Sequence, residues 1–135
     1  MILDLTREIS PDTKVFPGSP LPKFITWNKM DVHNYHSEVI FMSTHTGTHM
    51  DAPSHFINGV SSIDKISIDR FISRSILVRI TKASDELITV GEIEASNVKI
   101  LDGDSVVFST SWENEIDKEY YFSHSPGLSE DAAEY

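Results

Sequence analysis

Cysteine is absent from the 135 residues of this chain, and the absence limits its chemistry. Without thiols the chain can form neither disulfides nor thiolate metal sites. Any metal site must therefore be built from nitrogen and oxygen ligands. A chain without cysteine is also compatible with a reducing compartment, and we expect a cytoplasmic protein.

Basic residues and long apolar runs are scarce as well. Eleven lysines and arginines stand against 21 acidic residues, which gives a formal net charge of −10. Such a surface repels phosphate backbones and anionic lipids, so we expect neither a nucleic-acid partner nor a membrane partner. No apolar stretch approaches the ~20 residues that span a bilayer, and Asp4 comes too early for the apolar region of a signal peptide.

The remaining composition is that of a packed domain. Hydrophobic residues make up 39% and charged residues 24% of the chain, close to the norm for globular proteins, and the length suits one domain over residues 1–135. A helix is predicted from Thr89 to Asn97, because Thr89 and Glu92 have the spacing of a capping box. Strands are predicted at Ile2–Leu5, Phe24–Trp27, Glu38–Ser43, Ser75–Ile80 and Asp104–Ser109. We therefore predict an α/β domain with a predominantly β core and peripheral helices.

Several aromatic residues can be interpreted from their surroundings. Trp27 and Phe41 lie in predicted strands, where large rings usually belong to the core. The polar and aromatic segment Trp112–Tyr121 predicts a surface loop. Phe16 begins a stretch rich in proline and glycine, which must be irregular. That stretch is either a simple connector or a rim on which Phe16 contacts a planar substrate, and Phe16 is the candidate substrate-binding residue.

Half of the six histidines lie within a short segment: His45, His49 and His55, with Asp51 among them. An extended strand would hold the Cα atoms of His45 and His49 roughly 13 Å apart, too far to share an ion through bonds of about 2.1 Å. The intervening Thr46-Gly47-Thr48 forms helix poorly, so we predict a tight turn. After the turn, His49 and Asp51 point to the same side of an extended chain. The pattern predicts a metal site formed by His45, His49 and Asp51.

Three protein ligands and an open position are typical of a catalytic metal site. A divalent cation lowers the pKa of a bound water to about 7 and polarises a carbonyl group. His55 lies just beyond Pro53, where the extended segment ends, and imidazole titrates near 6.5, so His55 is the predicted proton carrier. Zinc is the first candidate for the ion and manganese the second; iron accepts a similar ligand set.

The segment from His45 to Phe56 resembles the His-x-Gly-Thr-His-x-Asp-x-Pro-x-His signature of the putative cyclase family. That family includes bacterial-type kynurenine formamidases and isatin hydrolases. Similarity extends to segments near both ends of the chain: Asp4–Thr6, Val15–Pro20, Pro126–Ser129 and Ala132-Ala133.

The resemblance implies a swivelling β/β/α fold, in which His45, His49 and Asp51 bind metal and His55 is the catalytic acid and base. Asp51 would be able to bridge to a second metal, and the chain would form a homo-oligomer. Family members continue into a carboxy-terminal part that supplies a further ligand histidine and a glutamate, whereas this sequence ends at Tyr135. We therefore expect a chain that lacks the family's usual carboxy-terminal part, and His124 is an alternative source of the missing ligand.

For function, we expect a metal-dependent hydrolase that cleaves the carbon–nitrogen bond of a small amide. The resemblance makes N-formylkynurenine the leading substrate, giving kynurenine and formate in tryptophan catabolism. Two alternatives stay open: hydrolysis of a cyclic amide such as isatin, and a metal-binding module without turnover.

Overall fold

A computed structural model describes residues 4–135, which form two compact units. The first unit extends to Ile66, and the second is Ser67–Tyr135. The single domain predicted for residues 1–135 stays a prediction. No helix among the described residues is long and apolar enough to cross a lipid bilayer.

The first unit is organised around an antiparallel pair of strands. Strand β1 is Lys23–Asn28 and strand β2 is Ser37–Phe41, joined through the short helix α1, Met30–His33. Ile25 lies opposite Val39, and a bulge follows Thr26. Both predicted strands are confirmed, although β2 ends earlier than expected, which leaves the next residues free to form the histidine turn.

Two expectations for the first unit need revision. Trp27 and Phe41 were predicted to belong to the core, but they are 69% and 59% exposed. That prediction is wrong because a two-stranded ribbon leaves much of its side-chain surface uncovered. Of the strand predicted at Ile2–Leu5, Ile2 and Leu3 lie outside the described residues, while Asp4 and Leu5 have no regular secondary structure.

The second unit contains two parallel strand pairs. Strand β3, Ser75–Arg79, pairs with β5, Ser105–Ser109, and strand β4, Leu87–Ile88, pairs with β6, Gly127–Leu128. Helix α2 is Val90–Ala95 and helix α3 is Glu130–Glu134. The sequence predicted β3, β5 and α2; it missed β4 and β6, which are only two residues long.

The core of the second unit lies where both helices meet these strands. Ile88, Ile93 and Ala132 are buried together. Ile80, Val90, Ile100 and Phe108 pack against them. Thr89 accepts a hydrogen bond from the Glu92 backbone N–H, and the Glu92 side chain accepts one from the Thr89 N–H, which completes the predicted capping box.

Trp112 contradicts the surface loop predicted for Trp112–Tyr121. The residue begins a 3₁₀ helix, Trp112–Glu115, and is only 8% exposed. Its Nε1–H donates to the Tyr121 carbonyl at 3.0 Å, and the two rings stack. The apolar indole ring is buried while its polar N–H is hydrogen-bonded. The many charged residues around Trp112 in the sequence led to the wrong prediction of a surface position.

Candidate metal centre

A tight turn follows β2 and carries the histidine motif. The Thr46 N–H donates to the Ser43 carbonyl at 3.1 Å, and the His45 N–H donates to Ser43 Oγ at 3.1 Å. Gly47 has a φ of +69°, a left-handed conformation that glycine adopts without steric cost. The chain therefore reverses between His45 and His49, as the spacing of the two histidines predicts.

The reversal brings three potential ligand atoms together. His45 Nδ1 lies 2.9 Å from Asp51 Oδ1 and 3.2 Å from His49 Nε2, and His49 Nε2 lies 3.5 Å from Asp51 Oδ1. Within residues 4–135, His45, His49 and Asp51 are the group of histidine and acidic side chains close enough to hold one metal ion.

The distances among these atoms fit a metal ion. In a tetrahedral site with bonds of about 2.1 Å, neighbouring ligand atoms are separated by about 3.4 Å, which matches the 2.9 to 3.5 Å found here. The donor set is two imidazole nitrogens and one carboxylate oxygen, which zinc, manganese and iron all accept. His45 is partly buried, whereas His49 and Asp51 are exposed, so the site is accessible to a small molecule.

Hydrogen bonding fixes which nitrogen of His49 can bind a cation. His49 Nδ1 lies 2.8 Å from the Gly47 carbonyl oxygen. A carbonyl only accepts, so Nδ1 carries the proton and Nε2 keeps its lone pair. Metal-binding histidines commonly donate their second N–H to a carbonyl or carboxylate in this way. The Gly47 peptide thus both permits the turn and orients a candidate ligand.

His55 lies beside the cluster. Pro53 begins a 3₁₀ helix, Pro53–His55, that places the His55 ring with its centroid 4.3 Å from that of His45. The centroid of the Phe56 ring also lies 4.3 Å from that of His55, in an edge-to-face arrangement. His55 is therefore adjacent to His45, one of the three candidate ligands, without belonging to their group.

Phe16 and His124 do not belong to this group. Phe16 lies in a turn closed by a hydrogen bond from the Ser19 N–H to the Phe16 carbonyl, and its ring is about half exposed. Its substrate contact stays a prediction. His124 Nδ1 lies 2.9 Å from Asp85 Oδ2 in the second unit, and this hydrogen bond lowers the pKa of the Asp85 carboxyl. His124 thus has a carboxylate partner of its own.

The sequence did not predict the support that the turn receives from residues near the amino terminus. The Arg7 N–H donates to Thr48 Oγ1 at 3.1 Å, and the Ile9 side chain packs directly against Gly47. A backbone donor leaves no signal in the sequence, and Ile9 belongs to no recognisable motif. Only the three-dimensional contacts reveal either residue.

The sequence matches the family described as Putative cyclase over residues 3–135. The chain belongs to this cyclase family. The histidine turn is thus found in a chain whose family membership extends over almost its full length.

The names of the related proteins give two activities, kynurenine formamidase and isatin hydrolase. The chain is 29% identical to a kynurenine formamidase of Salinibacter ruber, over 82% of this chain and 51% of the relative. It is 30% identical to an isatin hydrolase of Roseibium aggregatum, over 99% of this chain and 61% of the relative. The chain thus spans roughly half to three fifths of the length of these proteins.

Solved structures confirm the predicted cyclase fold. Isatin hydrolase A from Ralstonia solanacearum superposes with a TM-score of 0.79 at 25% identity, covering 98% of this chain and 60% of that one. An isatin hydrolase bound to the product analogue thioisatinate gives a TM-score of 0.78 at 27% identity, covering 98% and 61%. The mixed α/β arrangement with few helices is therefore that of the isatin hydrolases, and these relatives are hydrolases.

Proposed function

We propose that this chain is a metal-dependent hydrolase of a small amide, with arylformamidase-like activity. The convergence of His45 Nδ1, His49 Nε2 and Asp51 Oδ1 within 3.5 Å of one another, in a member of a family that includes hydrolases, carries the proposal. These three residues would hold the ion. When bound, a divalent cation supplies Lewis acidity, which polarises a carbonyl and makes water more acidic.

The position of His55 next to His45 supports its proposed role as the catalytic acid and base. Hydrolysis adds water across the amide: the carbonyl carbon gains an oxygen, the carbon–nitrogen bond breaks and the nitrogen leaves with a proton. An imidazole that accepts the proton from water can return it to the nitrogen, which avoids an anionic leaving group. The His55 ring contacts the His45 ring, so it lies beside the candidate ligand group where this transfer would take place.

N-formylkynurenine is the proposed substrate, and zinc the proposed ion with manganese as the second candidate. The formamidase relatives support this choice by name. The isatin hydrolases support the alternative, a cyclic amide opened at its carbon–nitrogen bond. Both reactions require water, a polarised carbonyl and a proton for the departing amide nitrogen, so the same group of residues suits either reaction. A cytoplasmic location stays a prediction.

The test compares formate release from N-formylkynurenine, and ring opening of isatin, with and without added zinc or manganese. We expect metal-dependent turnover of one of the two. His55→Ala should lower the rate about 10² to 10⁴ fold, whereas His36→Ala, which removes an exposed histidine of the same unit, should have no effect. Tight metal binding without turnover of either compound would instead support the non-catalytic metal-binding module.

We also propose that the chain forms a homo-oligomer. Apolar side chains on the ribbon of β1 and β2, among them Ile25, Val39 and Phe41, are 44 to 59% exposed. Contiguous exposed apolar patches on protein surfaces commonly mark association sites. A second copy of the chain is the proposed partner.

A further inference from the structure

Two contacts join the segment Arg7–Ile9 to the turn that carries the candidate ligands. The Arg7 N–H donates to Thr48 Oγ1 at 3.1 Å, across a sequence separation of 41 residues. Ile9 closes against Gly47 so tightly that a Cβ added at Gly47 would lie 2.9 Å from Ile9 Cγ1 and 3.2 Å from Ile9 Cδ1. The segment therefore contacts both Gly47 and Thr48, the two residues that precede His49 in the turn.

These contacts act on the peptide that orients His49. The Gly47 carbonyl oxygen receives the His49 Nδ1–H at 2.8 Å, and His49 Nε2 then faces His45 Nδ1 at 3.2 Å. A shift of Gly47 would move its carbonyl and release the ring. Glycine has the largest conformational freedom of any residue, so its position depends on what packs against it.

We propose that Ile9 is a positioning residue for the metal centre, and that Arg7–Ile9 clamps the turn through Ile9 against Gly47 and through the Arg7 N–H on Thr48. The inference rests on the proposed function, because it assigns a role toward the same metal site. Ile9 contacts Gly47, and it acts through the hydrogen bond that the Gly47 carbonyl accepts from His49 Nδ1–H.

A clamp predicts effects that a purely structural residue would not cause. Substitution of groups that orient metal ligands commonly lowers metal affinity about 10 to 100 fold. Ile9→Ala should therefore weaken zinc binding by about 10 fold or more and change the visible absorption of bound Co²⁺, which reports ligand geometry. Ile9→Val keeps one of the two contacting carbons and should retain most of the affinity.

The control variant is Ile63→Ala, which shortens an isoleucine of the same unit that is 45% exposed. It should leave both the zinc affinity and the Co²⁺ spectrum unchanged. At the second contact, Thr48→Ser keeps the hydroxyl that accepts from Arg7 and should behave like the parent, while Thr48→Val removes the acceptor and should weaken zinc binding.

A double substitution tests whether Ile9 and Gly47 act through their mutual contact. Gly47→Ala strains a backbone with φ of +69° and also meets Ile9. Gly47→Ala alone should therefore lower zinc affinity. In the double variant with Ile9→Ala, the steric clash with the Ile9 side chain is removed, and only the backbone strain remains. The combined loss of zinc affinity should therefore be smaller than the product of the two separate losses.

The clamp is overturned if Ile9→Ala matches Ile63→Ala in zinc affinity and Co²⁺ spectrum, or if the Ile9 and Gly47 effects simply multiply. If the parent chain binds neither zinc nor Co²⁺, the proposed metal centre fails rather than the clamp. The clamp is then tested in the metal-free protein by NMR of the His49 ring. Resonances shifted by Ile9→Ala and unchanged by Ile63→Ala support it, and resonances unchanged by both overturn it.

Discussion

At the scale of single residues, the histidine turn combines a glycine that the backbone needs with a buried threonine. Thr46 is 3% exposed, and its Oγ1 has no hydrogen-bond partner among residues 4–135. A buried hydroxyl without a partner carries a desolvation cost of about 1 to 3 kcal/mol. Hydrogen bonds from the Thr46 N–H to the Ser43 carbonyl and from the His45 N–H to Ser43 Oγ therefore stabilise the turn, together with burial of the Thr46 side chain.

Thr46→Val should leave the free energy of unfolding unchanged or raise it by about 1 kcal/mol, because valine keeps the shape and removes the unsatisfied oxygen. Thr46→Ser, which keeps the hydroxyl and loses the methyl group, is the matched control and should lower it by about 1 kcal/mol. Urea unfolding of the three proteins measures both changes. A valine variant less stable than the serine variant would show that the hydroxyl has a stabilising partner.

The sequence predicted the convergence of His45, His49 and Asp51 because the chemistry of a shared ion imposes a turn between the histidines. It did not predict the atoms involved. Which nitrogen of His49 faces the cluster depends on the Gly47 carbonyl, and the conformation of Gly47 depends in turn on Ile9. Local spacing indicates which residues meet, whereas the contacts of Arg7 with Thr48, 41 residues further on, and of Ile9 with Gly47 determine how they meet.

At the scale of elements, the strands with strong local patterns were predictable and the short ones were not. β3 and β5 are rich in branched residues, and each is five residues long. β4 and β6 contain two residues each and pair in parallel, Leu87 with Gly127. Their pairing depends on a partner 40 residues away, so no local periodicity reports it. Helix α2 was predictable because its start is encoded by Thr89 and Glu92.

The capping box of α2 gives the first test at this scale. Thr89→Ala removes the hydroxyl that accepts from the Glu92 N–H, so the free energy of unfolding should fall by about 1 kcal/mol. Thr89→Ser keeps the acceptor and should lose much less. Chemical denaturation followed by circular dichroism measures both. Equal stability of the alanine and serine variants would contradict a capping role for the hydroxyl.

The lowered pKa of Glu92 makes the stability of the second unit depend on pH in acid. The Lys82 ammonium, 2.6 Å from Glu92 Oε1, and then the Thr89 backbone N–H lower the pKa of Glu92 from 4.5 to about 2. A carboxyl whose pKa is lower in the folded state stabilises the fold above its unfolded pKa. This contribution should be fully present above about pH 4.5 and be lost progressively toward about pH 2.

Glu92→Gln should therefore flatten the dependence of unfolding free energy on pH between about 4.5 and 2, measured by denaturation across that range. Glu94→Gln is the control, because Glu94 is an exposed residue of the same helix. An unchanged slope in the Glu92 variant would contradict the ion pair with Lys82.

At the scale of the whole molecule, the exposed apolar face of the β1–β2 ribbon is the main departure from what the sequence predicted. Trp27 and Phe41 are large apolar residues of the kind usually found in a core, yet both are largely exposed. Sequence patterns indicate that a side chain is apolar but not what covers it. A net charge of −10 would oppose association at low salt, so contact between copies must come from apolar burial.

Phe41→Ser should shift the chain toward monomer in sedimentation velocity experiments, because it removes apolar area from the proposed interface without adding charge. Phe56→Ser is the comparison, since Phe56 is an exposed phenylalanine outside the ribbon. A parent chain that sediments as a monomer at all concentrations would contradict the proposed homo-oligomer.

Zinc binding by the purified chain, measured by calorimetric titration after chelator treatment, tests the proposed metal centre most directly. We predict saturable binding that is lost in Asp51→Asn and in His49→Ala and retained in His36→Ala. The reason is that Asp51 and His49, together with His45, contribute atoms to the converging group, whereas His36 does not. A parent chain that binds no zinc, manganese or iron, or an Asp51→Asn variant that binds as the parent does, would contradict the metal centre and with it the proposed hydrolase.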